Sequence, residues 1–222
     1  MMNTHNPDLP VTSRPVSDIV SKTYQLLAAT VAFTGVTAWL GMGLPFAYEH
    51  PFILMLLGFG ALFAVIITGA KNQPIALPLV FVFTGLMGLS LGPAIGATLQ
   101  LANGSLIVAE AAVGTAVIFI GLSLYAAVSK RDFSVMGGFL MTGLIIIILA
   151  GIANFWLRMP VLQLVVAAAA LLIFAGYTLI DTQRLLRGGE TRPVLLVVSL
   201  YLDVLNIFVS LLQLLTAFQG RR

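Results

Sequence analysis

The chain has 222 residues, 59% of them hydrophobic and only 9% charged, with a formal net charge of +3. A soluble domain carries about 25% charged residues, and a fold of this size has no interior that could hide so much apolar surface, so soluble and disordered classes are excluded. The eleven Lys and Arg stand in short segments between apolar runs, without the basic stripe and interleaved aromatics of a nucleic-acid binder, and the absence of cysteine excludes disulfides, thiol chemistry and Cys-zinc sites.

The first 22 residues are polar and carry Pro7, Pro10 and Pro15; no apolar core precedes the first span, so no cleavable signal is visible. Helix is expected from Ser17, an N-cap residue followed by Asp18 in the first turn. Seven apolar runs then follow, at 23–44, 52–70, 75–100, 106–128, 134–153, 161–186 and 194–218. Each is long enough to cross a bilayer as a helix at about 1.5 Å per residue. Turn chemistry separates them: Pro45 to Pro51, Lys71 to Pro74, Asn103-Gly104-Ser105, Ser129 to Asp132, Arg158-Met159-Pro160 and Arg187 to Pro193. The expected organisation is a tail over 1–22, a seven-helix membrane domain over 23–218 and a short tail over 219–222. Trp156 suits an interfacial anchor.

Basic residues set the orientation. With the N-terminus inside, the inner segments hold Arg14, Lys22, Lys71, Lys130, Arg131, Arg184, Arg187 and Arg192, and the outer segments hold Arg158, Arg221 and Arg222. That bias places the N-terminus in the cytosol and the C-terminus outside. In the third span Gly85, Gly88, Gly92 and Gly96 share one face, which suits close helix packing; the sharper reading is a helix opened at Gly92-Pro93 beside a pore.

An ionised carboxylate in hydrocarbon costs several kcal/mol, so each acid inside a span is a functional candidate. Three stand out: Glu110, Asp181 and Asp203. Asp203 belongs to a polar seam with Ser199, Asn206, Ser210 and Gln213, all within about 80° on the wheel of an otherwise apolar helix. The seam is either hydrogen-bond glue between helices or a polar pathway. Asp181 lies ~9 Å below the end of its helix and Asp203 ~15 Å below the start of the next, so the two differ in depth by only ~6 Å. Asp181 is either an interfacial acid paired with Arg184 or Lys71, or half of an aspartate pair that shares a proton and titrates as a unit. Ionised, such a pair attracts a hard cation such as calcium. Glu110, near the outer face, is either a cation attractor or a hydrogen-bonded packing residue.

Enzyme readings fail on their partners. Gly88-Leu89-Ser90 and Gly121-Leu122-Ser123 resemble the Gly-x-Ser of intramembrane serine proteases, which need a base beside the serine. His5 and His50 are the only histidines, and both lie outside the runs, which also leaves no buried histidine for a metal. Intramembrane aspartyl proteases carry Gly-x-Gly-Asp, and the second acid here reads Leu200-Tyr201-Leu202-Asp203. No enzyme activity and no cofactor are expected.

Ser21-Lys22-Thr23-Tyr24-Gln25-Leu26-Leu27, Glu110-Ala111 with Thr115, Gly176 to Gln183, and above all Ser199-Leu200-Tyr201-Leu202-Asp203-Val204-Leu205-Asn206-Ile207-Phe208 resemble the Bax inhibitor-1 family. The resemblance runs from Lys22 to Phe218. It implies an all-α membrane fold of seven transmembrane helices, with the C-terminal helix central and wrapped by the other six. It further implies a pH-sensitive calcium leak in the bacterial inner membrane, gated at the cytosolic side by Asp181 and Asp203, which are also the tentative calcium ligands. A basic residue at the end of the second helix would latch the pair. Lys71 stands there, a point charge where arginine would grip in bidentate fashion. The alternative implied function is a non-conducting interaction protein, a substrate or modulator of a membrane-bound ATP-dependent protease, engaged through the N-terminal tail. The implied partners are the lipid bilayer, calcium and protons, and that protease.

Overall fold

A computed structural model describes residues 16–71, 73–188 and 192–219, and these are entirely helical and turn in structure, with no strand among them. The expectations on Arg14, on the tail before Val16 and on Arg221 and Arg222 lie outside the described residues. The helices are α1 (Val16–Met42), α2 (Pro45–Glu49), α3 (Pro51–Ala70), α4 (Ala76–Leu99), α5 (Gly104–Val128), α6 (Gly137–Leu157), α7 (Pro160–Leu186) and α8 (Pro193–Gln219). All but the five-residue α2 belong to stretches long and apolar enough to cross a membrane, seven in all.

Two boundaries differ from the sequence reading. Helical geometry begins at Val16, within the segment read as tail, and Asp18 sits in its first turn, where a carboxylate suits the positive end of the helix dipole. The fifth span runs to Leu157 instead of stopping at 153, because the chain breaks only at Arg158, which adopts a left-handed φ of 49°. That conformation costs a non-glycine residue roughly 1 kcal/mol. It is offset locally: the Met159 amide donates to Asn154 Oδ1 at 3.0 Å, and Pro160 opens α7 with φ already set for helix. Trp156, just before the break, is 72% exposed.

α8 is the most enclosed helix, with Phe218 its only exposed residue. It packs against α1, α3, α4, α5 and α7, while α6 packs against α7. The largest buried cluster gathers Ile19 and Leu27 of α1, Val65 of α3, Val80 and Phe83 of α4, Leu185 of α7 and Leu196, Val197, Leu200 and Tyr201 of α8. Helices with little sequence amphipathicity can form such a bundle because lipid drives no sorting of apolar faces; close packing and hydrogen bonds decide it.

The glycine face of α4 supplies the closest packing. A Cβ on Gly41 of α1 would lie 2.6 Å from the Leu89 carbonyl oxygen, and a Cβ on Gly92 would meet the backbone of Gly41 and Met42. α4 continues as helix through Pro93. The packing reading of the glycine stripe is therefore the one that fits, with Gly92 buried against α1 instead of lining an opening.

This contact yields a stability test. Gly92→Leu forces backbone against backbone and is expected to destabilise the bundle by at least the ~1–3 kcal/mol of ordinary overpacking. Gly60→Ala in α3, whose added Cβ meets nothing within 4 Å, should be neutral or stabilising by up to about 1 kcal/mol. Thermal unfolding of the two variants in detergent, beside the wild type, checks both signs.

Candidate functional site

The α7–α8 hairpin brings the two aspartates to one end of the bundle. Asp181 is 5% exposed and Asp203 is 2% exposed. Tyr177 lies one turn before Asp181 on α7, and no hydrogen bond joins the two carboxylates among the described residues. Their surroundings differ. Asp181 accepts from Arg184 Nη1 at 3.3 Å, and Ser199 of α8 faces it. Asp203 Oδ2 is buried and has no hydrogen-bond partner among the described residues. A carboxylate oxygen left this way carries an uncompensated desolvation cost of ~1–3 kcal/mol or more. Thr23 of α1 shares the condition: its hydroxyl is buried without a partner, on the helix face that carries Ile19 and Leu27 into the cluster formed with α8.

The other sequence candidates fall into place around this pair. None of the five seam residues is exposed, and Asp203 and Ser210 are buried. Ser199 and Asn206 donate to carbonyls of their own helix, Leu196 at 3.2 Å and Leu202 at 2.7 Å. Ser210 and Gln213 make no hydrogen bond among the described residues, so the seam as a whole does little to bond helices together. Lys71 caps α3, is exposed, and forms no ion pair among the described residues. The cation that does reach toward α3 is Arg192, whose Nη1 donates to the Ala70 carbonyl at 3.1 Å. At the opposite end of the bundle, Glu110 Oε2 accepts from Gln219 Nε2 at 2.7 Å, which is the hydrogen-bonded packing role. Ser90 and Ser123, the two serines of the Gly-x-Ser segments, bond to the Leu86 carbonyl and to the Thr182 hydroxyl.

Two features were not singled out from sequence. Tyr201, next to the aspartate motif, places its phenol 2.8 Å from Thr34 Oγ1 of α1, and Thr34 donates to the Thr84 carbonyl of α4 at 3.1 Å. This joins α1, α4 and α8 about one half-turn from Asp203. Gln183, two residues after Asp181, is 5% exposed. Its Nε2 donates to the Arg131 carbonyl at 2.7 Å and its Oε1 accepts from the Phe133 amide at 3.0 Å. Arg187 Nη2 adds a bond to the same Arg131 carbonyl at 2.9 Å, and Arg187 Nη1 lies 3.8 Å from Asp132. The α5–α6 turn is thus fastened to the last turn of α7. A Gln in an Asp-Thr-Gln-Arg run could have been read as a bracket only with the loop's position known.

No group of three or more His, Cys, Asp and Glu that could hold a metal occurs among the described residues. Calcium takes six to eight oxygens, more than the two aspartates supply.

The chain resembles known sequences over most of its length. Residues 16–220 match the family described as "Inhibitor of apoptosis-promoting Bax1". An "Uncharacterized membrane protein" of Vibrio cholerae serotype O1 is 38% identical over 197 residues, covering 89% of this chain and 88% of its own. In Escherichia coli strain K12, "Modulator of FtsH protease YccA" is 36% identical over 198 residues, 89% of each chain. "Inner membrane protein YccA" of Escherichia coli O6:H1 matches to the same extent.

The Gln183 bracket and the neighbouring acid make a pH-dependent prediction. The Ser134 amide donates to Asp132 Oδ1 at 3.0 Å, and hydrogen bonds from Ser134, with a smaller effect of the Arg187 charge, hold Asp132 below the usual carboxylate range. A lowered value in the fold means that the contribution is present above the ordinary range and lost as pH falls through the lowered value. Hydrogen exchange at Ser134 should therefore speed up, relative to neutral pH, on acidification below that range, after correction for intrinsic rates. Gln183→Leu should loosen Phe133 at every pH, with a stability loss of ~1–3 kcal/mol.

Proposed function

Since the chain belongs to the Bax inhibitor-1 family, we propose that it is an inner-membrane modulator of a membrane-bound ATP-dependent protease, engaged through its N-terminal segment. The supporting observation is the 36% identity, over 89% of both chains, to a relative named as a modulator of the FtsH protease. The described chain is consistent with such a role: it is a membrane bundle whose connections are short, so a partner is met within the bilayer or through the tail. The basic bias of the sequence places that tail in the cytosol.

A second reading, a pH-sensitive calcium leak, is favoured by one specific observation: the unpartnered Oδ2 of Asp203 buried beside Asp181. In this reading one proton shared between the two carboxylates lets α7 and α8 close together. Raising the pH strips it, the two charges repel or accept calcium, and the hairpin end loosens. Arg184 is the cation in contact with Asp181, and Lys71 is one of several further cations at that end. The half-buried Asn206 and Gln213 and the buried Ser210 would carry the ion onward along α8.

Two measurements separate the readings. Deleting residues 2–15, which leaves α1 intact, should lower co-purification with the protease by about tenfold or more, while Asp181→Asn and Asp203→Asn leave it unchanged. Undiminished association after the deletion would sink the tail-mediated reading. In liposomes the leak reading expects calcium flux that rises with pH, and a flattened profile in either Asn variant. Absence of flux at any pH, or wild-type profiles in both variants, would remove the leak. Reporter fusions at the two ends should place them on opposite sides of the membrane, the N-terminal one inside.

A further inference from the structure

We propose that the α5–α6 turn is a docking site for the headgroup of an anionic phospholipid, with Lys130 and Arg131 as its phosphate-binding cations. The turn joins two membrane-spanning helices, α5 ending at Val128 and the next span beginning at Ser134, so it lies at the level where hydrocarbon gives way to headgroups. Both cations are exposed, and neither side chain forms an ion pair among the described residues. The acid between them and α6 is already engaged: Asp132 accepts from the Ser134 amide at 3.0 Å and faces Arg187 at 3.8 Å. Its charge is thereby drawn away from the two cations.

The backbone that presents them is fixed in place. Gln183 bonds to both sides of Asp132, at the Arg131 carbonyl and the Phe133 amide, and Arg187 bonds to the same carbonyl. The Phe133 ring is buried, 5.7 Å from the Tyr125 ring, in a cluster with Ala126, Leu140 and Ile180. A held turn loses less conformational freedom on binding than a loose one, so a given contact yields more affinity.

The flanks identify the partner. Val128 is 78% exposed, Val135 83% and Phe139 78%, so apolar side chains stand on both sides of the two cations. An acidic peptide from solution would meet the cations alone, because these three side chains belong to the membrane spans and face lipid. A phospholipid satisfies both, its phosphate on the cations and its acyl chains along Val128, Val135 and Phe139. A juxtamembrane cation near an anionic surface strengthens binding about fivefold, and two on one rigid turn act together.

This proposal stands apart from both functional readings above. The test uses the full-length purified protein in nanodiscs, of phosphatidylcholine alone or with about a third phosphatidylglycerol, where binding to the folded state raises the thermal midpoint. The wild type should melt several degrees higher with phosphatidylglycerol, and native mass spectrometry should find phosphatidylglycerol retained. K130Q/R131Q should match the wild type in phosphatidylcholine, yet lose most of the shift and the retained lipid. K22Q/K71Q, which removes two exposed cations elsewhere, should keep both. Equal losses in the two double variants would mean diffuse surface attraction and overturn the site. So would a wild type indifferent to phosphatidylglycerol, or a shift reproduced by inorganic phosphate in phosphatidylcholine.

Discussion

Inside hydrocarbon no water is available to a polar group, so every donor and acceptor on a spanning helix needs a partner within the protein. Most hydroxyls here meet that demand locally. Thr30, Ser90, Thr98, Thr115 and Thr178 each bond to a carbonyl three or four residues back on their own helix. Bonds that cross between helices are few, and they fix the register of the bundle. Thr34, Tyr201 and the Thr84 carbonyl lock α1, α8 and α4 at one level. Ser123 and Thr182 join α5 to α7, and Glu110 with Gln219 joins α5 to the end of α8. Between these bonds the glycine face of α4 lets α1 approach to backbone contact, and dispersion over that contact replaces the hydrophobic drive that lipid does not provide.

Against this economy the two aspartates stand out because they are treated differently. Asp181 lies near enough to the helix end for Arg184 to bend back to it while remaining 58% exposed in its side chain, so the pair is partly solvated and inexpensive. Asp203 lies deeper, and one of its oxygens has nothing to accept from. Packing alone would favour an apolar residue there, since a buried polar group without a partner is a net cost. A cost of that kind at the most enclosed helix is the observation on which the leak reading rests. Glu110 shows the contrast: an acid at the other end with its amide partner in place.

The spans were legible in the sequence because apolar runs of about 20 residues have one physical meaning. So was the enclosed seam of α8, since five polar residues on one face cannot all meet lipid. What the sequence does not carry is choice among partners. Arg184 and Lys71 were equivalent candidates for Asp181 until the i, i+3 geometry of α7 favoured the first. The end of α6 was obscured because Phe155, Trp156 and Leu157 are apolar whether they continue a helix or leave it. Gln183 was silent for a related reason. Its two partners are backbone atoms of a turn some 50 residues away in the chain, and backbone atoms leave no trace in residue identity.

The last turn of α7 therefore has two occupied faces. Asp181 and Arg184, three residues apart, lie together on one side, toward Ser199 and α8. Gln183 and Arg187, four apart, lie together on another side and hold the α5–α6 turn. A helical turn is stiff, so a displacement imposed on one face is carried to the other with little loss. Separation of α7 from α8 at the aspartates would draw on the Arg131 carbonyl, and any load on the α5–α6 turn would act back on the position of Asp181. The buried amide of Gln183 makes that connection hard to break. Releasing it would leave a carbonyl and an amide without partners at once, and two such losses cost more than the single ion pair on the opposite face. The ion pair lies within α7 and fastens it to no neighbour, so the tie between elements at this turn is the Gln183 bracket.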